Sequence, residues 1–299
     1  MSSAPDRPAR RTLIGAGTQV GTEVSINFGS SIAGLLIPIV GSVVVVAVRQ
    51  VITAIAVLPF YRPKRAELTW RRLWPALLLG LVLVSMNLSF YEAVGRLGLG
   101  IAATIEFLGP FALALAGSRR VLDVLCAVVA AGGVVLLTGT EGAIDPIGVV
   151  LALTAAASWA AYILLTRRVA LRLPGLEGLS VASVVATVVL LPIALIIVDY
   201  SRLDWTVIGL LVAAGILSSA IPYSLDTFIL RRIPPRLYAV ITSFGPVIAT
   251  MFGVLVLHEH FSAVQLAGIV IVCLAAGVTI ATQREHPRSD LEGTAETIP

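Results

Sequence analysis

Gly98-Leu99-Gly100-Ile101-Ala102-Ala103-Thr104-Ile105-Glu106-Phe107-Leu108-Gly109-Pro110-Phe111-Ala112-Leu113-Ala114-Leu115-Ala116-Gly117 carries a single charge in a stretch long enough to cross a bilayer. A span needs about 20 apolar residues, because lipid offers the backbone no hydrogen bonds and a helix supplies its own. Glu106 sits just before a Gly-Pro pair, in the middle of that run. Sliding the chain along itself by 136 residues lays Phe107-Leu108-Gly109-Pro110 on Ser243-Phe244-Gly245-Pro246. Ala131-Gly132-Gly133-Val134 returns as Ala275-Ala276-Gly277-Val278 at a slightly longer shift. Two similar halves follow, and each Gly-Pro pair marks the same place in its half.

Working outward, hydropathy gives ten spans, at 13–32, 37–60, 73–92, 98–117, 121–140, 145–166, 178–198, 205–227, 237–257 and 262–282. The fold class is an all-α membrane protein. Five spans per half is an odd number, so the halves cross the membrane in opposite senses as inverted repeats, an architecture of secondary transporters. Residues 1–12 read as a cytoplasmic N-terminal segment, 13–140 and 145–282 as the two repeats, and 283–299 as a polar, disordered tail. Composition agrees: 58% of residues are hydrophobic, 13% charged, and mean hydropathy is +0.98. A soluble domain carries about 25% charge, so the lipid bilayer is the solvent here.

The basic residues orient the spans. Of the 21 lysines and arginines, all but Arg49, Arg96 and Arg202 fall in the N-terminal segment, alternate loops and the tail. The positive-inside rule then puts both termini in the cytoplasm of a cell with this protein in its inner or plasma membrane. With the basic residues used as topology signals, nucleic acid is not an expected partner.

Polar residues inside the spans must face other helices or water. Gln19, Glu23, Asn27 and Ser30 share one face of span one. Thr154, Ser158, Tyr162 and Thr166 make a stripe on span six, beside Trp159. Asn87 and Tyr91 lie one turn apart on span three, and Ser219, Tyr223 and Asp226 lie on span eight. These stripes read either as interhelical hydrogen bonds or as the lining of a polar cavity. Glu23, Arg49 and Glu106 lie roughly 12 to 18 Å deep by helical rise. An intramembrane charge is a functional candidate with a partner to be found. Arg49 stays charged and calls for an anion, which Glu23 or Glu106 could supply, as a structural pair or as part of a site. The Pro110 break beside Glu106 frees backbone carbonyls that could hold an ammonium group or a proton. Gly17 and Gly21 have the spacing of close helix approach.

Other chemistry is not called for. There is no Gly-rich phosphate loop and no nucleophilic triad, so neither ATP-driven transport nor an enzyme is expected, and no cofactor. His258-Glu259-His260 lacks the further ligands a metal site needs. Cys126 and Cys273 lie in apolar runs and read as small core residues.

Three blocks carry a family resemblance. Met86-Asn87-Leu88-Ser89-Phe90-Tyr91 leads to Leu99-Gly100-Ile101-Ala102, to Glu106-Phe107-Leu108-Gly109-Pro110 and to Ser118-Arg119-Arg120. Ser158-Trp159-Ala160-Ala161-Tyr162-Ile163-Leu164 is the second block, and Ile216-Leu217-Ser218-Ser219-Ala220-Ile221-Pro222-Tyr223-Ser224-Leu225 the third. Together they resemble the EamA-type branch of the drug/metabolite transporter superfamily, over roughly residues 13 to 283. The resemblance implies secondary transport by alternating access, with a small polar metabolite as substrate and the proton as coupling ion. Within the branch the blocks are similar to amino-acid exporters, which implies export of neutral amino acids such as threonine and homoserine. Other metabolites or drug-like compounds remain the alternative cargo, and a non-transporting scaffold the remote one. Glu23, Asn27, Arg49, Asn87, Tyr91, Glu106, Trp159, Tyr162, Tyr223 and Asp226 are the candidate substrate-binding or coupling residues. The chain departs from the family at Glu23, at Asp226 where a glutamate is usual, at Ser243-Phe244-Gly245-Pro246 where an acid precedes the proline, and at His258 where glycine precedes the Glu.

Overall fold

A chain in lipid has to pair its backbone groups within itself, and apolar runs without strand partners do so as helices. The computed structural model describes residues 7–61, 69–116, 120–138, 145–173, 176–222, 225, 229 and 232–282, and the regular elements among them are all helical. Span one is Arg7–Val40, span two Ser42–Val57 and span three Trp70–Leu97. Span four is Leu99–Glu106 continued by Leu108–Ala116, span five Val121–Thr138, span six Pro146–Ala170 and span seven Glu177–Ile197. Span eight is Trp205–Gly215 continued by a π-helical turn, Ile216–Ala220. Span nine is Pro235–Thr242 continued by Gly245–Leu257, and span ten is Ala263–Thr282. Eight of the described helices are long and apolar enough to cross a membrane, and Ser42–Val57 and Trp205–Ala220 are shorter apolar ones. The expected tail over 283–299 lies outside the described residues.

One boundary moves. The expected break at 33–36 is continuous helix, and the chain turns instead at Gly41, with φ at 83°. Residues 33–36 contain no proline and their Gly34 stays helical, whereas at Gly41 the φ is one that glycine alone adopts without strain.

The molecule is apolar outside and polar within. Val128 is 65% exposed and Ile196 82%, while Gln19, Glu23, Asn27, Arg49 and Asn87 are buried. Span three packs on six and seven, span eight on one and two, span four on six, and span nine on one. Spans two and seven, four and nine, and five and ten pair with each other. Exchanging the two sets of five spans leaves this pattern unchanged, as a twofold relation between halves requires. Close approach is set by glycines other than those expected. A Cβ on Gly17 or Gly21 would meet no described atom within 4 Å, whereas one on Gly109 would lie 2.0 Å from the Ala156 carbonyl oxygen of span six.

The ends of spans four and nine are tied by Glu259. Its Oε1 accepts from the Leu99 amide at 2.5 Å and its Oε2 from the Gly100 amide at 3.4 Å. A carboxylate suits a helix start, where N–H groups lack helical partners. The approach needs Gly98, at φ 84°, whose Cβ would lie 2.9 Å from the carboxyl group. It also needs Gly253, whose Cβ would lie 2.3 Å from Oε2. The preceding His258 has φ 55° and ψ 34°, the left-handed conformation that glycine adopts freely. On the same side Arg96 pairs with Asp145 at 2.6 Å, joining the end of span three to the start of span six.

Two outcomes follow from this tie. His258→Gly should raise thermal stability in detergent by about 0.5–1 kcal/mol, since it removes the left-handed strain; an unchanged or lower melting temperature would refute that account. Glu259 has a pKa raised from 4.5, chiefly by burial and against the pull of the Leu99 and Gly100 amides. The folded chain therefore binds this proton more readily than the unfolded one. The contribution to stability is most favourable below 4.5 and is lost as pH rises through the folded pKa. Melting curves of Glu259→Gln should lack that slope, while Glu259→Ala should lose about 1–3 kcal/mol by orphaning the two amides.

Candidate functional site

A proline has no N–H to give the carbonyl four residues earlier. Pro222 therefore leaves the Ser218 carbonyl without its α-helical donor, and the π-helical turn at 216–220 accommodates the misfit. Arg49 fills the vacancy: its Nη2 donates to that oxygen at 3.4 Å and its Nη1 to Asn87 Oδ1 at 3.1 Å. Asn87 is oriented by its own Nδ2, which donates to the Leu83 carbonyl at 2.9 Å. The guanidinium carbon stands 4.7 Å from the centre of the Tyr91 ring, and the Tyr91 hydroxyl donates to Ser30 Oγ at 3.1 Å. This is a cation held by dipoles and a ring face. Arg49 is 6% exposed, and its Nε has no hydrogen-bond partner among the described residues.

The expected ion pair is absent. Among the described residues no carboxylate stands within ion-pair distance of Arg49. Glu106 feels its field but forms no described hydrogen bond. It ends the first segment of span four, where Pro110 denies the Glu106 carbonyl its donor. Phe107 then turns edge-on to Trp159 of span six, with ring centres 6.0 Å apart. Glu23 faces another way. It accepts from Gln19 Nε2 at 3.1 Å, and that amide also donates to Thr242 Oγ1 of span nine at 3.1 Å. Asn27 caps the same turn, its Nδ2 donating to the Glu23 carbonyl at 2.9 Å.

The structure thus brings together Arg49, Asn87 and Tyr91, with Glu106 within their electrostatic reach and Trp159 beside it. Glu23 and Asn27 line the neighbouring face of span one. Tyr162 packs against the buried cluster of Leu79, Leu83 and Leu165 that joins spans three and six. Tyr223 and Asp226 lie outside the described residues. Part of the expected stripe on span six turns elsewhere: Thr154 and Ser158 border a recess of about 570 Å³ between spans three and six, where Ser158 meets Ser85 at 3.0 Å. That recess opens sideways, since Leu81 is 50% and Leu153 46% exposed. Four participants were not among the candidates: Ser218, Gln19, Thr242 and Ser30. Pro222 signals the first. The 136-residue shift that carries Glu106 onto Thr242 signals the third.

Comparisons with known proteins agree with this architecture. The EamA-like transporter family matches residues 146–281. The threonine/homoserine exporter RhtA of Escherichia coli K12 is 34% identical over 272 residues, covering 90% of this chain and 92% of that protein. RhtA of Salmonella typhimurium LT2 is 34% identical over 265 residues, covering 87% and 90%. One solved crystal structure superposes with a TM-score of 0.58 at 19% identity, over 92% of this chain and 96% of its own, a likeness of fold alone. With relatives at that identity over nearly its whole length, and with helices of this kind, the chain belongs to the EamA-type transporters of the drug/metabolite transporter superfamily.

Proposed function

We propose that this protein exports neutral amino acids of the threonine and homoserine kind from the cytoplasm by proton antiport, with alternating access to a site between its two halves. The observation that carries the reading is Arg49, a buried guanidinium whose described partners are all neutral. Such a group attracts an anion that comes and goes, and a carboxylate matches its planar fork. An amino acid brings that carboxylate with an ammonium group on the neighbouring carbon. Glu106 lies within the field of Arg49 and ends a helix segment whose last carbonyl is freed by Pro110. In this reading Arg49 takes the substrate carboxylate, with Asn87 and Tyr91 holding the guanidinium in place, and Glu106 takes the ammonium. Substrate and proton then compete for one carboxylate. Loading a proton from outside releases the amino acid outward, and losing it to the cytoplasm readies the site. The names of the relatives support the substrate class, and the distribution of basic residues supports cytoplasmic termini in the inner membrane.

The test is counterflow in proteoliposomes loaded with unlabelled threonine or homoserine, with labelled compound outside. Wild type should accumulate label saturably. Arg49→Lys keeps the charge but loses the planar fork, and should raise half-saturation by about tenfold to a hundredfold. Glu106→Gln should abolish the response of transport to an imposed pH gradient. Full response in Glu106→Gln would remove that residue from coupling. Counterflow of neither amino acid, by protein that carries another compound, would move the cargo to another metabolite or a drug-like class.

A further inference from the structure

Spans three and six run antiparallel side by side, tied at one end by Arg96 and Asp145. At the other end Arg172 Nη1 donates to the Arg71 carbonyl at 2.7 Å, and the Arg172 guanidinium carbon lies 5.2 Å from the centre of the Trp74 ring. Between the two ties lies the recess of about 570 Å³ that opens sideways. No charged residue is among its described lining. The Thr154 hydroxyl donates to the Val150 carbonyl of its own helix at 2.8 Å, and Ser85 and Ser158 meet each other at 3.0 Å. Such a wall gives a charged cargo no partner and suits hydrocarbon.

The same face changes character toward the basic end. Every seventh residue of a helix returns to within about 20° of one direction. On span three that series is Ser85, Leu78 and Arg71, and on span six it is Thr154, Ala161 and Arg168. Ser85, Thr154 and Ala161 line the recess, while Leu78, Arg71 and Arg168 are exposed beyond it. Arg172 prolongs the span-six series by a turn, its amide donating to the Val169 carbonyl at 2.9 Å. Three arginines therefore stand at the head of one groove whose foot is the recess, and no described carboxylate pairs with any of them. From Arg71 to Ser85, and equally from Arg168 to Thr154, is roughly 21 Å at 1.5 Å per residue. Half a bilayer, hydrocarbon and headgroup together, is about 20–22 Å. The groove thus has cations at headgroup depth and an apolar wall down to the bilayer centre.

We propose that the groove between spans three and six binds a phospholipid with an anionic headgroup, the phosphate on Arg71, Arg168 and Arg172 and one acyl chain in the recess. A guanidinium takes phosphate oxygens two at a time, and basic pockets between membrane helices hold anionic headgroups. The Arg71 carbonyl and the Trp74 ring already position Arg172 for this. A lipid with a zwitterionic headgroup fills the recess but gains less at the arginines. The site requires that the chain sit in a membrane and is independent of what Arg49 and Glu106 carry.

Native mass spectrometry of the full chain in detergent, titrated with dioleoyl phosphatidylglycerol or dioleoyl phosphatidylcholine, counts bound lipid directly. Wild type should hold one phosphatidylglycerol about tenfold more tightly than phosphatidylcholine. Arg168→Gln, whose side chain has no described partner to lose, should remove most of that preference. Ala157→Phe or Ala161→Phe, either of which suffices if the other does not fold, puts a ring into the recess and should weaken both lipids without changing their ratio. Glycerol 3-phosphate carries the phosphate without a chain, and at the same concentration should not compete. Equal retention of the two lipids by wild type, a preference untouched by Arg168→Gln, or full binding with the recess filled would each overturn the site. Displacement by glycerol 3-phosphate would overturn it too, and give the arginines to a soluble phosphate. Loss of threonine and homoserine counterflow with the lipid preference intact would remove the proposed cargo and leave the groove standing.

Discussion

A proline in a membrane helix leaves the carbonyl one turn earlier without its donor, and lipid will not supply one. Pro110, Pro222 and Pro246 do this to Glu106, Ser218 and Thr242. Every candidate residue with a described polar role gathers at one of these turns or on the helix facing it. Arg49 reaches the Ser218 carbonyl across from span two. Glu106 carries its carboxylate at the break of span four, and Thr242 draws the Gln19 amide to the break of span nine. Away from the breaks the spans pack through small and aliphatic side chains, and a polar group there would have to find a partner or stay unsatisfied.

The way Arg49 is held decides what the site can do. A guanidinium in a low-dielectric interior does not give up its proton, so it is solvated by dipoles or matched by an anion. A permanent carboxylate partner would make a neutral pair with little call for a charged cargo. Here the amide oxygen of Asn87, the Ser218 carbonyl and the Tyr91 ring do the solvating, and the positive potential survives. Glu23 accepts instead from Gln19 on its own helix. The charge of the buried base is therefore not neutralised by any described carboxylate.

Much of this was legible in the chain. Composition, the ten apolar runs and the alternation of basic residues carried the architecture, because lipid imposes one solution on long apolar segments. Glu106 and Arg49 stood out because charges are costly there. What stayed hidden depended on side-chain direction and on pairings between distant segments. Arg49 needed an anion by any reading of charge alone, and only the three-dimensional neighbourhood supplies the neutral groups that replace it. Gln19 looked like one member of a polar stripe; its role comes from lying opposite Thr242. The turn at Gly41 was obscured because residues 33–40 are as apolar as the spans they join. Gly17 and Gly21 have the spacing of a packing motif, yet no described atom lies within 4 Å of a Cβ on either, and the close contacts fall at Gly109 and Gly253 instead.

The halves also differ in charge, and that difference gives the interior a direction. Span two carries Arg49, while its counterpart, span seven, carries no charge beyond Glu177 at its first residue. Among the described residues the buried positive pole thus belongs to the first half, whereas the acids come from span four at one break and from span one at the other. A zwitterion between such poles has one favourable orientation: its carboxylate toward span two and its ammonium toward a broken span. Turning it round would set like charges together at both ends. A duplicated fold with symmetric charges would hold such a ligand equally well either way. Arg49, the single buried arginine among the described residues, removes that degeneracy.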